Sequence, residues 1–498
     1  MLKKKYKDRL KVLFVTSELT PIAKAGGLGD VVGQLPKELA REYHMEIKVV
    51  MPKYKIINEK DFDLKLIIDS IKLFGPDNKP YKLSVWKTFI PETIVPIYLI
   101  DCPEIFNGES VYDHDPKQVK FRPYTFLAKI ALELIRVFDW RPDVVHIHDG
   151  MMGMLPKWLE TTYASDPMYA GIASVLTIHN LAHQPTMSLK EVKYVGLQKK
   201  NFKDVKKFLK LDYINIMAEA IDSSDFVNTV SPTYAREVMT KKYGSGLDKL
   251  LRKEKNKFTG ILNGMDYSGF DPRTNEDTPV KYWIDNLDKK VENKLYLQKK
   301  LGLTQSADTP LICVISRLAT QKGLELVDEV LEELVDMGAQ FVVLGSGQKS
   351  IEKVFIKAGK EHPKEIAAEI GFDANFAQTI YAGSDMILMP SRFEPCGLSQ
   401  IIAMRFGTIP IVRSTGGLAD TVKDNVTGFV FRHYDKHAFL WAIRRAVDIY
   451  YNQKDHWKSM QIAGMKKDFS WKKSAKKYIW LYKKAIKNHK NKLNEEAK

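Results

Sequence analysis

The chain has 498 residues, of which 44% are hydrophobic and 28% are charged. This length is too great for one ordinary hydrophobic core, and the composition is typical of globular proteins rather than disordered or membrane ones. The chain shows neither an apolar stretch near the roughly 20 residues of a membrane span nor a secretory or transit signal at its basic start. Cys102, Cys313 and Cys396 are far apart and predict neither a disulfide framework nor a zinc site. We therefore expect two or three domains and a cytoplasmic protein without a membrane partner.

The net charge of +16 is concentrated towards the C-terminal end of the sequence. Residues 466–498 carry twelve lysines and three acidic residues, a local excess of nine positive charges. The segment contains no arginine and no recognised nucleic-acid module, which favours a solvated lysine-rich helix face. We expect no nucleic-acid partner, while weak attraction to some other anionic partner stays open.

Short apolar runs alternate with helical patterns along the first half of the chain. Unbroken runs of Val, Ile and Leu are typical of parallel sheets that are covered on both faces. The predicted strands lie in the segments KVLFVTSE, IKVVMP, DVVHIHD, ASVLTIHN and DFVNTVS.

The second half repeats this alternation and predicts a second doubly wound domain. The segment 263–283 is rich in turn residues and charges and predicts the crossing between the domains, with a cleft beside it. We expect domains over residues 1–256 and 257–470, followed by a helix at about 471–490. The second-half strands lie in LICVISRL, QFVVLGSG, MILMPS, TIPIVRS and GFVF, and the apolar face of the last helix comprises Trp471, Ala475, Tyr478, Ile479, Tyr482 and Ile486.

Two similar glycine pairs occupy the same place in the two predicted domains. KAGGLGDVV at residues 24–32 and STGGLADTV at residues 414–422 each follow a predicted strand and precede a helical pattern. Glycine lets a ligand approach the backbone, and a helix N-terminus offers free N–H groups to an anion. Either pair alone could be a tight strand-to-helix turn. The duplication, with Lys24 in one copy and Thr415 in the other, favours two loops that grip one diphosphate-bearing ligand.

Charged and polar side chains that directly follow predicted strands should meet at the carboxyl ends of the sheets. Arg317 and Lys322 form a pair of cations suited to a leaving diphosphate, with a surface pair on a helix as the alternative. Glu394 precedes a helix and could hold sugar hydroxyls or cap that helix. The remaining members of this set are Glu18, Asp149 and His179.

Three histidines and one aspartate of the first half are further candidates. Asp149 could accept a proton or a hydrogen bond from a sugar hydroxyl, and His179 could donate to a sugar or be a satisfied core histidine. His146 and His148 alternate with Ile147 and resemble metal ligands, but no third ligand pattern accompanies them. We interpret that pair as hydrogen-bonded structural histidines and expect no metal.

The motifs together resemble those of bacterial glycogen synthases and plant starch synthases. The resemblance runs in the family's order from residue 11 to about residue 482, and the combination is specific although no single motif is. It is carried by SELTPIAKAGGLGDVVGQLP, VVHIHDG, LTIHNLA, VSPTYAREV, ILNGMD, SRLATQKGLEL, PSRFEPCGLSQIIAMRFGTIPIVRSTGGLADTV and DFSWKKSAKKY.

This resemblance implies the α/β GT-B fold, in which two Rossmann-like doubly wound parallel-sheet domains face each other across a deep cleft. It implies that the final helix returns to the first, acceptor-side domain. The implied reaction transfers glucose from a nucleotide sugar, with ADP-glucose favoured over UDP-glucose, to the non-reducing end of an α-1,4-glucan with retention of configuration. No cofactor or metal is implied, because protein cations neutralise the diphosphate.

The resemblance also assigns roles to individual residues. The reaction is thought to occur on the front face of the sugar, so Asp149 is expected to orient and stabilise rather than to act as the nucleophile that retaining glycosidases use. Glu18 and Asp149 would face the acceptor. The donor diphosphate would contact Lys24, Gly26, Gly27, Arg317, Lys322, Thr415, Gly416 and Gly417. The glucosyl group and base would contact His179, Asn263, Glu394, Phe372, and the backbone of Cys396, Gly397 and Leu398.

Two loops of the first half depart from the family pattern. Residues 148–151 read HDGM where the family usually has H-D-W-H, and residues 180–185 read NLAHQP where it usually has N-L-A-Y-Q-G. Loss of an aromatic platform puts the length, affinity or identity of the acceptor in question.

Two alternatives therefore stay open: another retaining GT-B transferase, including one with a different acceptor, and a catalytically weak glucan-binding scaffold. A phosphorylase would require pyridoxal phosphate, for which no lysine motif is apparent. The joint presence of Lys24, Arg317, Lys322 and Glu394 disfavours the scaffold.

Overall fold

The computed structural model describes residues 9–108, 110–112, 121–202 and 212–496. The chain divides into two compact units. The first comprises Met1–Val230, Ala235–Ile261 and Trp471–Lys498, and the second comprises Ser231–Tyr234 and Leu262–Ser470. Among the helices of these described ranges, none combines the length and apolar composition that a membrane span needs.

The secondary structure alternates strands and helices throughout. The strands are β1 (Lys11–Val15), β2 (Glu46–Pro52), β3 (Lys65–Phe74), β4 (Pro80–Phe89), β5 (Pro96–Asp101), β6 (Val144–His148), β7 (Ala173–Ile178), β8 (Thr186–Ser188), β9 (Tyr213–Asn215), β10 (Phe226–Thr229), β11 (Phe258–Gly260), β12 (Leu311–Ile315), β13 (Gln340–Gly345), β14 (Ile366–Ile370), β15 (Met386–Met389), β16 (Ile409–Arg413) and β17 (Phe429–Phe431). The ten strands predicted from apolar runs are confirmed.

The helices cover the sheets between these strands. The α-helices are α1 (Gly27–Tyr43), α2 (Phe121–Val137), α3 (Met154–Glu160), α4 (Ile216–Ser223), α5 (Pro232–Val238), α6 (Asp248–Lys253), α7 (Lys290–Leu301), α8 (Leu324–Asp328), α9 (Leu331–Asp336), α10 (Lys349–Glu361), α11 (Ala374–Gly383), α12 (Ser399–Arg405), α13 (Gly416–Thr421), α14 (Lys436–Asn452), α15 (Lys454–Met465) and α16 (Trp471–Glu496). Short 3₁₀ helices span Gly150–Met152, Glu191–Val195, Lys199–Phe202, Lys255–Lys257, Leu287–Lys289 and Thr320–Lys322.

The first unit is built on a nine-stranded sheet with the order β11–β10–β7–β6–β1–β2–β5–β4–β3. The strands from β11 to β5 pair in parallel, and β4 and β3 continue the sheet in antiparallel pairing. The strand order reverses at the β1–β6 pair, and ligands of open α/β sheets bind beyond the carboxyl ends of strands at such a point. The loops that follow β1 and β6 are therefore the expected ligand-binding loops of this sheet.

The second unit contains a six-stranded parallel sheet with the order β14–β13–β12–β15–β16–β17. Alternate residues of β12 face opposite layers of core: Ile312 and Val314 enter one apolar cluster, and Leu311 and Cys313 enter the other. The sheet is thus covered on both faces, as its unbroken apolar runs predict. Its strand order reverses at the β12–β15 pair, so the loops after these two strands are the expected ligand-binding loops of the second sheet.

The last helix, α16, belongs to the first unit and packs on α1, β7 and β10. The sequence correctly predicts the helix but only part of its buried face. Ile479 and Ile486 are only half-buried, because Leu481 and Ala485 lie at the centre of the packed stripe. The fully buried positions are Ala475, Tyr478, Leu481, Tyr482 and Ala485.

Candidate active site

Glu18 lies in the loop between β1 and α1 and is only 3% exposed. Its Oε2 accepts hydrogen bonds from the backbone N–H groups of Ala25 at 2.7 Å and Gly26 at 2.6 Å. The carboxylate therefore fixes the conformation of the first glycine loop from inside the unit.

Lys24 is exposed at the edge of the same loop. Its Nζ lies 2.7 Å from Oδ1 of Asp30, which stands in the first turn of α1. The hydroxyl of Thr20 donates to the same carboxylate oxygen at 3.2 Å. These contacts hold a cation beside the N-terminus of a 17-residue helix, where the free N–H groups of the first turn also favour an anion.

The two glycine pairs, which look alike in the sequence, have different surroundings. A Cβ atom added at Gly27 would have no neighbour within 4 Å. A Cβ atom added at Gly416 or Gly417 would lie 1.8 Å from the carbonyl oxygen of Glu394 or 1.9 Å from that of Cys396, respectively. Gly416 also has a positive φ of 45°. The second pair is thus required by backbone packing, whereas the first leaves open space above the backbone.

The ends of β12 and β15 bring together the charged residues of the second unit. Nζ of Lys322 lies 2.7 Å from Oε2 of Glu394, which also accepts a hydrogen bond from the Ser391 hydroxyl at 3.0 Å. Glu394 is 5% exposed, whereas Arg317 is exposed. The Lys322–Glu394 pair is therefore a preorganised, partly desolvated ion pair, with an accessible guanidinium in the adjoining segment.

Hydrogen bonds to backbone carbonyls join the loops that carry Lys322 and Glu394. The backbone N–H of Arg392 donates to the carbonyl of Gln321 at 2.9 Å, and the side-chain amide of Gln321 donates to the carbonyl of Phe393 at 3.2 Å. Buried Arg413 donates to the carbonyls of Ser391 and Arg392. Sequence reasoning missed Gln321, Ser391 and Arg413, although Arg413 ends a predicted strand and meets the criterion used for the other candidates.

The remaining candidates of the second unit differ in their burial. Asn263 is buried, and its Oδ1 has no hydrogen-bond partner within the described ranges. Cys396 is buried, and burial raises the pKa of its thiol to about 12, so the thiol is neutral. Gly397 has a φ of 72° and leads into α12. Phe372, between β14 and α11, is 87% exposed, which leaves its ring open to a stacking partner.

Asp149 follows β6 directly and adopts a strained backbone, with a φ of 56° and a ψ of 177°. Residues other than glycine rarely occupy this region, and such strain is concentrated at functional sites. Its Oδ1 accepts hydrogen bonds from the N–H of His179 at 2.7 Å and of Asn180 at 3.4 Å. Burial, reinforced by the nearby charge of Glu18, raises the pKa of Asp149 to about 7 despite these hydrogen bonds.

The histidines form a row across β6 and the end of β7. Nδ1 of His146 is 2.9 Å from the hydroxyl of Tyr482, and its Nε2 is 2.7 Å from that of Thr177. Nδ1 of His148 is 3.0 Å from Nε2 of His179. The described ranges contain no group of three or more His, Cys, Asp and Glu side chains arranged to hold a metal ion.

The two departures from the family pattern meet in space. A Cβ atom added at Gly150 would lie 2.9 Å from Cδ of Pro185 and 3.0 Å from Cβ of Met217. Pro185 is buried, and the intervening His183 is exposed. Glycine at position 150 and proline at position 185 are therefore coupled, because the proline ring and Met217 fill the space that a side chain at 150 would need.

The raised pKa of Asp149 predicts a pH-dependent stability. The raised pKa means that the folded protein favours the protonated carboxyl group. Its contribution to the free energy of unfolding is complete below the ordinary pKa of 3.8 and is lost as the pH rises to about 7. We expect the free energy of unfolding of wild type to fall more between pH 4.5 and pH 8 than that of Asp149→Asn, whose amide oxygen can keep the same N–H contacts. Urea unfolding at both values would measure it, and parallel pH profiles of the two proteins would contradict it.

Two family models match the chain. Residues 11–253 match the starch synthase catalytic domain, and residues 299–461 match the glycosyl transferases group 1. The glycogen synthase of Thermosipho melanesiensis is 43% identical, covering 96% of this chain and 99% of the relative. The glycogen synthase of Thermotoga maritima is 39% identical with the same coverage.

Solved structures agree with these matches. The catalytic domain of starch synthase IV from Arabidopsis thaliana, bound to ADP and acarbose, is similar with a TM-score of 0.86 and 33% identity, covering 96% of this chain and all of that one. A sucrose-phosphate synthase from Thermosynechococcus elongatus, at a TM-score of 0.60 and 18% identity over 95% of this chain and 98% of that one, shares the fold.

The two doubly wound sheets and these matches define a glycosyltransferase of the GT-B class. Within that class, the chain belongs to the glycogen synthase and starch synthase family. The family predicted from the motifs is thereby confirmed.

Proposed function

We propose that the protein transfers glucose from ADP-glucose to the non-reducing end of an α-1,4-glucan with retention of configuration. The observation that carries this proposal is the Lys322–Glu394 ion pair, with Arg317 exposed in an adjoining loop, at the strand-order reversal of the second sheet. Cations placed there suit a nucleotide diphosphate, and a carboxylate beside them suits sugar hydroxyls. The relatives' names and the ADP bound to the similar starch synthase support the choice of donor.

The second unit supplies most of the proposed donor contacts. Arg317 and Lys322 stabilise the negative charge that develops on the leaving diphosphate, which is often the largest single catalytic effect. Phe372 stacks on the base, and Glu394 and Asn263 accept from glucosyl hydroxyls, the latter with an oxygen that has no other partner within the described ranges. The backbone around α12 and α13 completes the set through Cys396, Gly397, Leu398, Thr415, Gly416 and Gly417.

The first unit contributes Lys24 and the open backbone at Gly26 and Gly27 as a further diphosphate contact. His179 donates to a glucosyl hydroxyl, and Asp149 orients and stabilises the reacting groups. We assign no nucleophilic role to Asp149, because the departing phosphate can take the proton of the acceptor hydroxyl on the same face. Glu18 acts through the loop that it holds. Since lysine and arginine can neutralise the diphosphate, the proposal includes no metal, and the three buried unpaired cysteines suit a cytoplasmic location.

A second candidate is a glucosyltransferase with the same donor and another acceptor. The packing of Pro185 and Met217 against Gly150 favours it, because these buried side chains occupy the space next to Asp149 where the family usually has an aromatic side chain. This packing concerns acceptor binding alone, because the proposed donor residues are the same for both candidates.

Release of ADP or UDP from each nucleotide-glucose, with and without glycogen or maltooligosaccharides, tests the proposal. We expect glycogen-dependent ADP release that Arg317→Ala loses. ADP-glucose binding without transfer to any glucan would favour the second candidate or a scaffold, and release of UDP alone would refute the choice of donor.

A further inference from the structure

The row of histidines across β6 and the end of β7 consists of neutral imidazoles. Burial lowers the pKa of His146 and His148 well below its usual range and that of His179 to about 3. A neutral imidazole has one N–H donor and one acceptor nitrogen, so the hydrogen bonds of one ring nitrogen determine what the other can do. The tautomers of this row can therefore be inferred by counting protons.

The count begins at His146. Oδ1 of Asn228 can only accept, so the Thr177 hydroxyl donates its proton there over 2.8 Å. That hydroxyl therefore accepts from Nε2–H of His146 at 2.7 Å. Nδ1 of His146 must then accept from the Tyr482 hydroxyl at 2.9 Å, so a residue of α16 completes the assignment.

The contact between His148 and His179 allows two arrangements. Nδ1 of His148 either donates to Nε2 of His179 or accepts from it, across 3.0 Å. Nε2 of His148 is buried and has no partner within the described ranges. If His148 accepted, its proton would lie on this orphan nitrogen, and buried N–H groups without an acceptor are rarer than buried acceptors without a donor. His148 therefore donates through Nδ1–H.

We propose that His148 is a positioning residue that holds His179 in the Nδ1–H tautomer, so that His179 presents a donor to its ligand. Nε2 of His179 is occupied as the acceptor of the His148 proton. Its Nδ1 makes no hydrogen bond within the described part of the chain. The identification of that ligand as a glucosyl hydroxyl rests on the proposed function, whereas the tautomer does not.

Two variants of matched shape test this assignment. Asparagine and leucine have the same branching, but only asparagine can donate near the position of Nδ1. Both remove the imidazole that packs on Phe14 and His146, so their packing losses should be similar. A difference between them reports the hydrogen bond to His179.

The first readout is the ¹⁵N chemical shifts of the His179 ring in the full-length protein without sugar, assigned by the loss of its signals in His179→Gln. We expect the proton on Nδ1 in wild type and in His148→Asn, and partly or wholly on Nε2 in His148→Leu. A proton on Nε2 in wild type, or an unchanged tautomer in His148→Leu, would overturn the proposal.

The second readout is kcat/KM for the nucleotide sugar. We expect His148→Leu to lose about tenfold more than His148→Asn, as fits the loss of one correctly placed donor. Equal losses in the two variants would show that His148 acts through packing alone. If no nucleotide-glucose is turned over by wild type, the proposed function fails while the tautomer measurement still decides the assignment.

Discussion

Replacing Lys322 by alanine should both inactivate the protein and destabilise its second unit. The side chains of Lys322 and Glu394 are only 19% and 7% exposed, and their charged atoms are 2.7 Å apart. Removal of the lysine leaves the buried carboxylate with the Ser391 hydroxyl as its only other side-chain partner within the described ranges. Breaking a buried pair in this way costs roughly 3–5 kcal/mol, and loss of one donor to the developing charge costs on the order of 100-fold in kcat.

Arg317→Ala is the matched control, because it removes a cation that is exposed. We expect a similar loss of rate but a free energy of unfolding within about 0.5 kcal/mol of wild type. Urea unfolding and donor-dependent ADP release measure the two effects separately. An active Arg317→Ala protein would remove this residue from the proposed catalytic set.

The double variant Lys322→Met/Glu394→Gln separates stability from catalysis. With both charges gone, no uncompensated carboxylate remains, so most of the lost stability should return while activity stays low. If the double variant is as unstable as Lys322→Ala, the ion pair is not the source of the destabilisation.

The sequence predicts the inner strands well because both faces of each sheet are covered. The apolar runs of β1, β12 and β15 are unbroken, so they stand out without any knowledge of their neighbours. The rule that polar residues after such strands meet at the carboxyl edge of their sheet agrees with the contact between Lys322 and Glu394 in the second unit.

The antiparallel edge of the first sheet was missed because β3 is largely exposed and mixes polar and apolar residues. A signal was present in the turn between β3 and β4, Gly75-Pro76-Asp77-Asn78, where Asn78 has a positive φ of 58°. The polar role of Tyr482 was also not predictable, since its partner His146 lies 336 residues away in the chain. Helical periodicity identifies a buried face but does not say which buried hydroxyl has a hydrogen-bond partner.

The twin glycine motifs should respond in opposite ways to alanine. At Gly417 the added Cβ would lie 1.9 Å from the carbonyl oxygen of Cys396 and 2.5 Å from its Cα, so backbone would have to move. That backbone belongs to the loop that carries Glu394. We expect Gly417→Ala to lower the free energy of unfolding by about 3 kcal/mol or more and to lose activity with it.

Gly27→Ala occupies the corresponding position of the first motif and should leave stability unchanged or improved. Nothing lies within 4 Å of its added Cβ, and alanine favours the helix that begins there by up to about 1 kcal/mol. If this open space receives the diphosphate of the donor, the methyl group should raise the KM for ADP-glucose by about tenfold.

Thermal unfolding and donor titrations of the two variants distinguish the physical reasons for the two glycine pairs. A stable Gly27→Ala protein with weakened donor binding would mean that the first motif keeps its glycine for a ligand and the second for the neighbouring backbone. A stable and fully active Gly27→Ala protein would mean that the first motif is only a strand-to-helix turn. Lys24 would then be the remaining candidate of the first unit for the diphosphate, and Lys24→Ala the variant that decides it.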